Sequence, residues 1–341
     1  MTKQSRAKVP FYVWPVVFVG VVAIGYTIAW HIAADRMEEA ITSWIADQRE
    51  NGLTVEHGDI TTAGYPFFLR GRVDTPTIAE TQRWQWSAPR LMIDILPFSF
   101  DRIILSPEGA QDIAVTLDGT APINLRVTAE KLRASLGTDK NTDWFFAFDG
   151  ADINIAGQGP EFSGTLDNVT LNLVPSGQDL TTLSLGLRAT GFHGSAHTPT
   201  SNGQTSEHQL TIGSLDSAIA LTRTDTLEES PYHWQRANGA LQIGHIIVTN
   251  EPAQLAITGA VSLDSNMSPA GTIETRMVKP APFLTVIREL NVFEPEMLAA
   301  INGAVTLATV TGGGAIEKTF VLSDGSVKMD GQEIARLSPI Q

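Results

Sequence analysis

The feature that most limits the fold of this chain is an uncharged, apolar run from Phe11 to Ile32. An α-helix rises about 1.5 Å per residue, so a run of this length matches a bilayer hydrocarbon core of roughly 30 Å. The run therefore predicts a single membrane-spanning anchor at residues 11–32. Lys3, Arg6 and Lys8 precede it without an acidic residue, which by the positive-inside rule predicts a cytoplasmic tail at residues 1–10.

The same rule predicts that everything after the anchor crosses the membrane, which in a bacterium means an inner-membrane protein with its bulk in the periplasm. A cleaved signal peptide is the alternative, because it also joins positive charge to an apolar run. The run is long for a signal peptide. Its only candidate cleavage site with small residues, Ala33-Ala34, follows His31 and Ile32 and lacks a small residue at the required spacing. We therefore favour a retained anchor.

Residues 33–52 keep a helical period, with Met37, Ile41, Trp44 and Ile45 on one stripe and a glycine placed to end the helix. The pattern predicts an amphipathic helix that continues from the anchor and docks on the following domain. The alternative is a helix lying on the membrane surface. Its acidic polar face disfavours that alternative, because anionic lipids repel it.

Composition excludes several kinds of partner and site. The formal net charge is -14, and the three cations ahead of the anchor leave -14 - 3 = -17 for the residues beyond it. Nucleic-acid binding needs clustered Lys and Arg, so this balance argues against it. The chain has no cysteine, which excludes disulfides, thiolate metal sites and a cysteine nucleophile.

From residue 53 onward the hydrophobic period falls to two, and Gly, Asn, Asp, Ser and Pro interrupt it about every ten residues. This pattern is typical of antiparallel β-meanders, and no helical repeat interrupts it as a parallel α/β sheet would require. We predict a mainly β domain at residues 53–341: an elongated, curved antiparallel sheet, as a groove or an open sandwich, with a few helices.

Five later segments have patterns of their own. Residues 192–208 are rich in Ser, Thr and Gly and predict a mobile loop, and residues 224–231 predict a second, acidic connection. Helical spacing returns in 280–290 and 294–303, which predicts a helical hairpin near the C-terminus. Residues 319–340 then predict a closing β-hairpin, whose turns are Asp-Gly pairs.

A search for catalytic chemistry finds no G-x-S-x-G elbow, phosphate-binding loop or H-E-x-x-H helix. His193, His197 and His208 are the best metal candidates, but a nearby glycine and proline oppose the helix that would align them. Glu228-Glu229 is better explained as a solvated loop than as an acid/base pair. We predict no enzyme activity and no catalytic, metal or cofactor-binding residue.

The stretch from Gly64 to Arg70 has a distinct local pattern. Gly64 can adopt positive φ and Pro66 fixes its own φ, so Gly64-Tyr65-Pro66 predicts a rigid corner at the start of a strand. Arg70 follows as a strand residue that extends its charge to solvent. A binding role for Tyr65, Pro66 and Arg70 is the alternative.

Together, the single span, the amphipathic helix, the run GDITTAGYPFFLRGRV, the meandering strands, the PAPFLTVIREL helix and the closing VLSDGSVKMDG hairpin resemble one bacterial family. It is the membrane-anchored family called domain of unknown function 2125, and the resemblance covers nearly the whole chain. More remotely, the pattern resembles AsmA-like envelope proteins, which implies a curved β-sheet with an apolar groove for lipid. This second resemblance is one of fold, and fold does not fix function.

Alternation gives each strand one apolar face, which must meet a second sheet, a helix or an apolar ligand. We favour a non-enzymatic protein that binds or conducts phospholipid or another envelope lipid along a groove. The residues predicted to line it are Ile93, Ile95, Leu125, Val127, Leu171, Leu173, Leu185 and Leu187. The alternative is an envelope scaffold with a closed β-sheet core that binds other proteins, and a membrane-anchored hydrolase is a third hypothesis.

Overall fold

The computed structural model describes residues 13–96, 99–116, 122–139, 142–158, 162–177, 180–199, 205–227, 229–280 and 315–337. One large antiparallel sheet that does not close contains all of its strands. A long N-terminal helix and two short helices accompany the sheet. The predicted mainly β fold is therefore confirmed.

The first helix, α1, spans Val13–Glu50 without a break. The predicted anchor and the predicted amphipathic segment are thus two parts of one helix. The helix is long and apolar enough to cross a membrane, a property that both anchors and signal sequences share. Two residues after its end lies Gly52, whose φ of 91° is the left-handed conformation that commonly terminates helices.

The first ten strands are short to medium in length. They are β1 Leu53–Glu56, β2 Ile60–Ala63, β3 Leu69–Asp74, β4 Thr77–Glu80, β5 Trp84–Ser87, β6 Arg90–Leu96, β7 Ser99–Glu108, β8 Gln111–Val115, β9 Ile123–Thr128 and β10 Lys131–Asp139.

The remaining elements include the longest strands. They are β11 Thr142–Gln158, β12 Phe162–Ser176, β13 Thr182–Pro199, β14 Thr205–Leu221, α2 Thr224–Leu227, α3 Pro231–Arg236, β15 Ala240–Asn250, β16 Ala253–Leu263, β17 Pro269–Val278, β18 Ala315–Ser323, β19 Ser326–Met329 and β20 Gln332–Arg336.

Two arms of the sheet meet on β11. Its first half pairs with β10, which continues through β7, β6 and β3 to β2. Its second half pairs with β9, which continues through β8, β5 and β4 to β1. From β11 onward each strand up to β20 pairs with the next one along the chain.

Helix α1 packs on one face of the β2–β3–β6 arm. Trp30, Ala34 and Met37 form a buried cluster with Leu69 on β3, and Ile41 packs against the edge of this cluster. Ile93 and Ile95 on β6 also contact it. The predicted docking of the amphipathic segment is therefore observed, although Trp44, predicted on its buried stripe, is 49% exposed.

A glycine on β3 permits this close approach. A Cβ at Gly71 would lie 2.8 Å from Met37 Cε and 2.9 Å from Ile41 Cδ1, which is closer than carbon atoms pack. Because Gly71 has no side chain, the helix can pack closely against this strand.

The prediction of a loop at residues 192–208 is wrong for the part of this segment that the structure describes. Residues 192–199 belong to β13 and residues 205–208 to β14, and the two segments pair in register. The segment is polar on both sides, so it lacks the apolar alternation that marked the other strands. Its Ser and Thr residues nevertheless suit an exposed hairpin, because threonine favours extended backbone.

Two other predictions concern the connections near the C-terminus. The predicted acidic connection at 224–231 contains α2 and the start of α3, whose N-cap is Ser230. The predicted helices at 280–290 and 294–303 lie, apart from residue 280, outside the described residues. The closing hairpin is confirmed: Asp324-Gly325 and Asp330-Gly331 all have φ between 52° and 82°, as tight hairpin turns require.

Candidate functional site

The main candidate site is a line of non-polar residues that crosses the sheet. Directly opposed residues on neighbouring strands lie on the same face, so the pairing register identifies the line without ambiguity. We call it the apolar row. It consists of Leu69, Ile95, Ile103, Leu136, Phe146, Leu173, Leu185, Ile219, Ile243, Gly259, Ile273, Phe320 and Met329.

The row crosses thirteen strands, from β3 to β19, with no polar member. Twelve steps between strands of about 4.8 Å each give a path of roughly 58 Å along the sheet. A second row lies two residues further along the strands and widens the apolar face. Its first seven members are Gly71, Ile93, Leu105, Ala134, Phe148, Leu171 and Leu187.

Exposure changes along the row from the helix outward. Leu69 lies under α1 and is 3% exposed, and it is the only buried member. Two strands further on, Ile103 is 39% exposed, and its neighbour Leu136 is 43% exposed. The members from Phe146 to Met329 are half-buried. Helix α1 therefore covers only the first end of the row.

Six of the eight residues predicted to line a groove fall in these two rows. Leu171 and Leu173 on β12 oppose Leu187 and Leu185 on β13, so four of them form one patch. Ile93 and Ile95 lie nearer the helix and pack partly against it.

The remaining two predicted residues lie in the other arm. Leu125 and Val127 are on β9, where they oppose Gly157 and Ile155 of β11. They share the apolar side of β11 with Ile153, which packs towards the second row at Gly150. The sequence grouped these two residues with the other six on one apolar face, whereas the strand pairing puts them in a separate arm of the sheet.

The local sequence pattern does not identify the row members on β7 and β10. Ile103, Ile104 and Leu105 are consecutive apolar residues, so alternation cannot tell which of them faces the row. Leu136 is separated from Leu132 by Ala134, and the small central residue weakens the apolar pattern. A search for apolar residues at spacing two that accepted alanine would have found Leu136.

The opposite face of the sheet carries ion pairs. Arg70 donates to both carboxylate oxygens of Asp94, at 2.5 and 2.7 Å, which raises the pKa of this arginine. Arg188 donates to Asp216 at 3.1 Å, and this hydrogen bond lowers the pKa of the carboxyl. Alternation thus separates an apolar face from a charged one.

A shallow polar cleft of about 610 Å³ lies on the charged side, where β9, β11, β12, β13 and β14 run together. Ser163 and Ser195 share a hydrogen bond of 2.9 Å between their hydroxyl groups, and His193 Nδ1 contacts Thr211 Oγ1 at 3.3 Å. In the described contacts the imidazole meets a hydroxyl and not a carboxylate, so this cleft does not reproduce a Ser-His-Asp arrangement.

Two of the predicted metal candidates are separated along one strand, while His208 lies on β14 opposite Ala196. His193 and His197 lie four residues apart on β13, which corresponds to about 13 Å on an extended strand. In the parts of the chain that the structure describes, no cluster of three or more His, Asp or Glu residues could hold a metal ion.

The predicted corner at Gly64 is a tight turn between β2 and β3. Gly64 has φ of 104°, and a Cβ there would lie 2.5 Å from the Phe68 carbonyl oxygen, so only glycine fits. Arg70 follows on β3, with its guanidinium 4.9 Å from the centre of the Phe68 ring. Its partner is Asp94, so its charge is balanced within the sheet.

A family model described as an uncharacterised protein conserved in bacteria, domain of unknown function 2125 (DUF2125), matches residues 30–337. The chain belongs to this family. No curated protein and no solved structure matches it.

The match to the DUF2125 family includes the candidate site. It begins at Trp30 in α1 and includes every member of the apolar row, from Leu69 to Met329. The apolar run ahead of Trp30 lies outside the match. The remoter resemblance to AsmA-like proteins stays a prediction.

Proposed function

We propose that this DUF2125 protein is a non-enzymatic, membrane-anchored envelope protein that holds lipid acyl chains along the apolar row. The N-terminal apolar helix supports membrane anchoring by its length and composition. The bacterial distribution of the family supports placement in a bacterial envelope. In this proposal α1 stays in the inner membrane, its N-terminus is cytoplasmic and the sheet lies in the periplasm.

The observation that carries the lipid proposal is the continuous, partly exposed row. A soluble sheet normally buries its apolar face against a second layer. Here none of the large side chains in the described ranges is less than 2% exposed, and the row is 39–43% exposed at Ile103 and Leu136. A face of this kind either takes an apolar ligand or meets another protein.

Apolar contact alone can give such a face a measurable affinity for an acyl chain, without a site for the lipid headgroup. Burying one methylene group contributes about 0.8 kcal/mol. If about twelve methylenes of an acyl chain each lose half of their contact with water, the gain is about 5 kcal/mol before ordering costs. This magnitude favours reversible holding of a chain over permanent capture.

Adjacent phenylalanines on β11 provide a matched test. Phe146 belongs to the row, whereas Phe145 lies on the opposite face, 4.8 Å from the Arg102 guanidinium. Each is replaced in turn by the photo-crosslinking residue benzoylphenylalanine in the full-length chain, in bacteria grown with labelled phosphate. Illumination is expected to attach labelled phospholipid at position 146 and little or none at position 145.

Other outcomes of this experiment would change the proposal. Equal phospholipid labelling at both positions would mean that the row has no special role. A crosslink from position 146 to a protein would favour the scaffold hypothesis, with the open apolar face as its binding surface. No adduct at either position, in a chain that is folded and in the membrane, would reject lipid holding.

A further inference from the structure

The turn between β2 and β3 exposes three aromatic side chains within four residues. Phe67 is 81% exposed, Tyr65 is 50% exposed and Phe68 is 37% exposed. Single exposed apolar residues are common on protein surfaces, but a cluster of this size marks a contact surface. We call residues 64–68 the aromatic turn.

Helix α1 holds the aromatic turn in a fixed position. The Tyr26 hydroxyl donates to the Pro66 carbonyl, and the hydroxyls of Thr27 and Tyr65 lie 2.7 Å apart. The Tyr65 ring also packs edge-on against Trp30, with 5.4 Å between ring centres. The turn therefore lies level with the helix segment from Tyr26 to Trp30.

The other side of the helix is apolar at this level. Ile24, Ile28 and Ile32 are 63%, 56% and 56% exposed. The next formally charged residue after Tyr26 is Asp35, nine residues on, which corresponds to about 14 Å of helical rise. The interfacial layer on each side of a bilayer is about 5–8 Å thick, so a spanning α1 carries the level of Tyr26 into the membrane.

The backbone of the aromatic turn suits a site with little water. The Gly64 carbonyl accepts hydrogen bonds from the N–H groups of Phe67 at 3.0 Å and Phe68 at 3.1 Å. The Phe68 carbonyl accepts from Trp30 Nε1 at 3.2 Å. Pro66 has no N–H group, and its carbonyl accepts from the α1 tyrosine. These partners reduce the cost of removing the turn from water.

We propose that the aromatic turn inserts into the lipid interface beside α1, on the same side of the bilayer as the sheet. Phe67 extends into the lipid, while Tyr65 lies between the lipid and the helix, as aromatic residues do at membrane interfaces. The turn and the helix then fix the first end of the sheet at the membrane by two contacts. The inference rests on the membrane anchor and does not require lipid on the apolar row.

The absence of cysteine from the natural chain permits a direct test. Phe67→Cys, Ile28→Cys and Glu251→Cys each introduce a single thiol, at the turn, on the exposed side of α1 and in the distant β15–β16 turn. Each full-length variant is labelled with the polarity-sensitive dye nitrobenzoxadiazole and reconstituted in phosphatidylcholine–phosphatidylglycerol vesicles. Because Phe67 and Ile28 are exposed, these replacements leave the packing intact.

We expect the label at position 67 to behave like the label at position 28. Both emit at shorter wavelength than the label at position 251, and brominated lipids quench both. The inference would be overturned if the label at position 67 emitted like the label at position 251 while the label at position 28 reported lipid. Position 28 also reporting water would overturn it, because α1 would then not lie in the membrane at this level. Neither result depends on a crosslink from the apolar row.

Discussion

Two leucines of the apolar row provide a direct measure of how much of that face α1 covers. Leu69 is 3% exposed beneath the helix, whereas Leu136, three strands further along the row, is 43% exposed. Leu→Ala removes the same three carbon groups at both positions. The comparison therefore holds the chemistry constant and varies the burial alone.

The expected losses follow from these exposures. Three buried carbon groups at about 0.8 kcal/mol each contribute about 2.4 kcal/mol, and the cavity left under α1 raises the cost of Leu69→Ala to about 3 kcal/mol. At Leu136 a little over half of that surface is buried and no closed cavity forms, so we expect about 1.4 kcal/mol.

The assay is urea unfolding of the full-length chain in lipid nanodiscs, followed by tryptophan fluorescence. The slope of the free energy of unfolding against urea should match between variants, so that a shift in midpoint reports stability. Equal losses of about 3 kcal/mol at both positions would refute the reasoning, because Leu136 would then be as fully covered as Leu69.

Three further predictions concern other parts of the molecule. A Cβ at Gly239 would lie 2.1 Å from the indole nitrogen of buried Trp234. Gly239→Ala should therefore lower the free energy of unfolding by about 1–3 kcal/mol in a denaturation assay. The control Gly186→Ala, where the nearest atom to the added Cβ is 3.9 Å away, should lower it by less than about 1 kcal/mol. Because Arg188 lowers the pKa of Asp216, that pair stabilises the fold above the unfolded-state pKa near 3.9 and loses its effect as pH falls through the folded-state pKa. The stability difference between the natural chain and Asp216→Asn should therefore narrow as the pH falls below about 4. If the C-terminus lies in the periplasm, alkaline phosphatase fused to it should be active in living bacteria. If the N-terminal helix is retained, the mass of the purified protein should include it, whereas a shortened chain would favour a cleaved signal peptide.

The alternation of apolar residues predicted the strands well because each strand has one apolar side. Leu171, Leu173, Leu185 and Leu187 were placed correctly on one face, since their strands are joined by local hairpins. The Asp-Gly pairs also predicted both closing turns, because these residues tolerate the positive φ of tight turns.

Long-range pairing could not be predicted in the same way. That β11 joins two arms depends on contacts between segments far apart in the chain, such as Val127 with Ile155 and Leu136 with Ile103. Nothing in the local period of either strand specifies those partners. The row therefore depends on the pairing register of all thirteen strands and not on the pattern of any single strand.

The proposed holding of lipid along the row also leads to a prediction about lipid selection. Two ion pairs on the strands of the row, Arg70 with Asp94 and Arg188 with Asp216, lie on the opposite face. Near the far end, Lys318 lies on the same face as Phe320, and this lysine is paired with Asp330.

A row of apolar side chains distinguishes lipids by their chains, because its attraction comes from buried apolar area. We therefore expect the phospholipids crosslinked at Phe146 to match the headgroup composition of the surrounding membrane. Mass spectrometry of the adducts from bacteria with altered headgroup composition would test this expectation. Adducts that keep one headgroup when the membrane composition changes would show that a polar site, and not the row, determines which lipid is held.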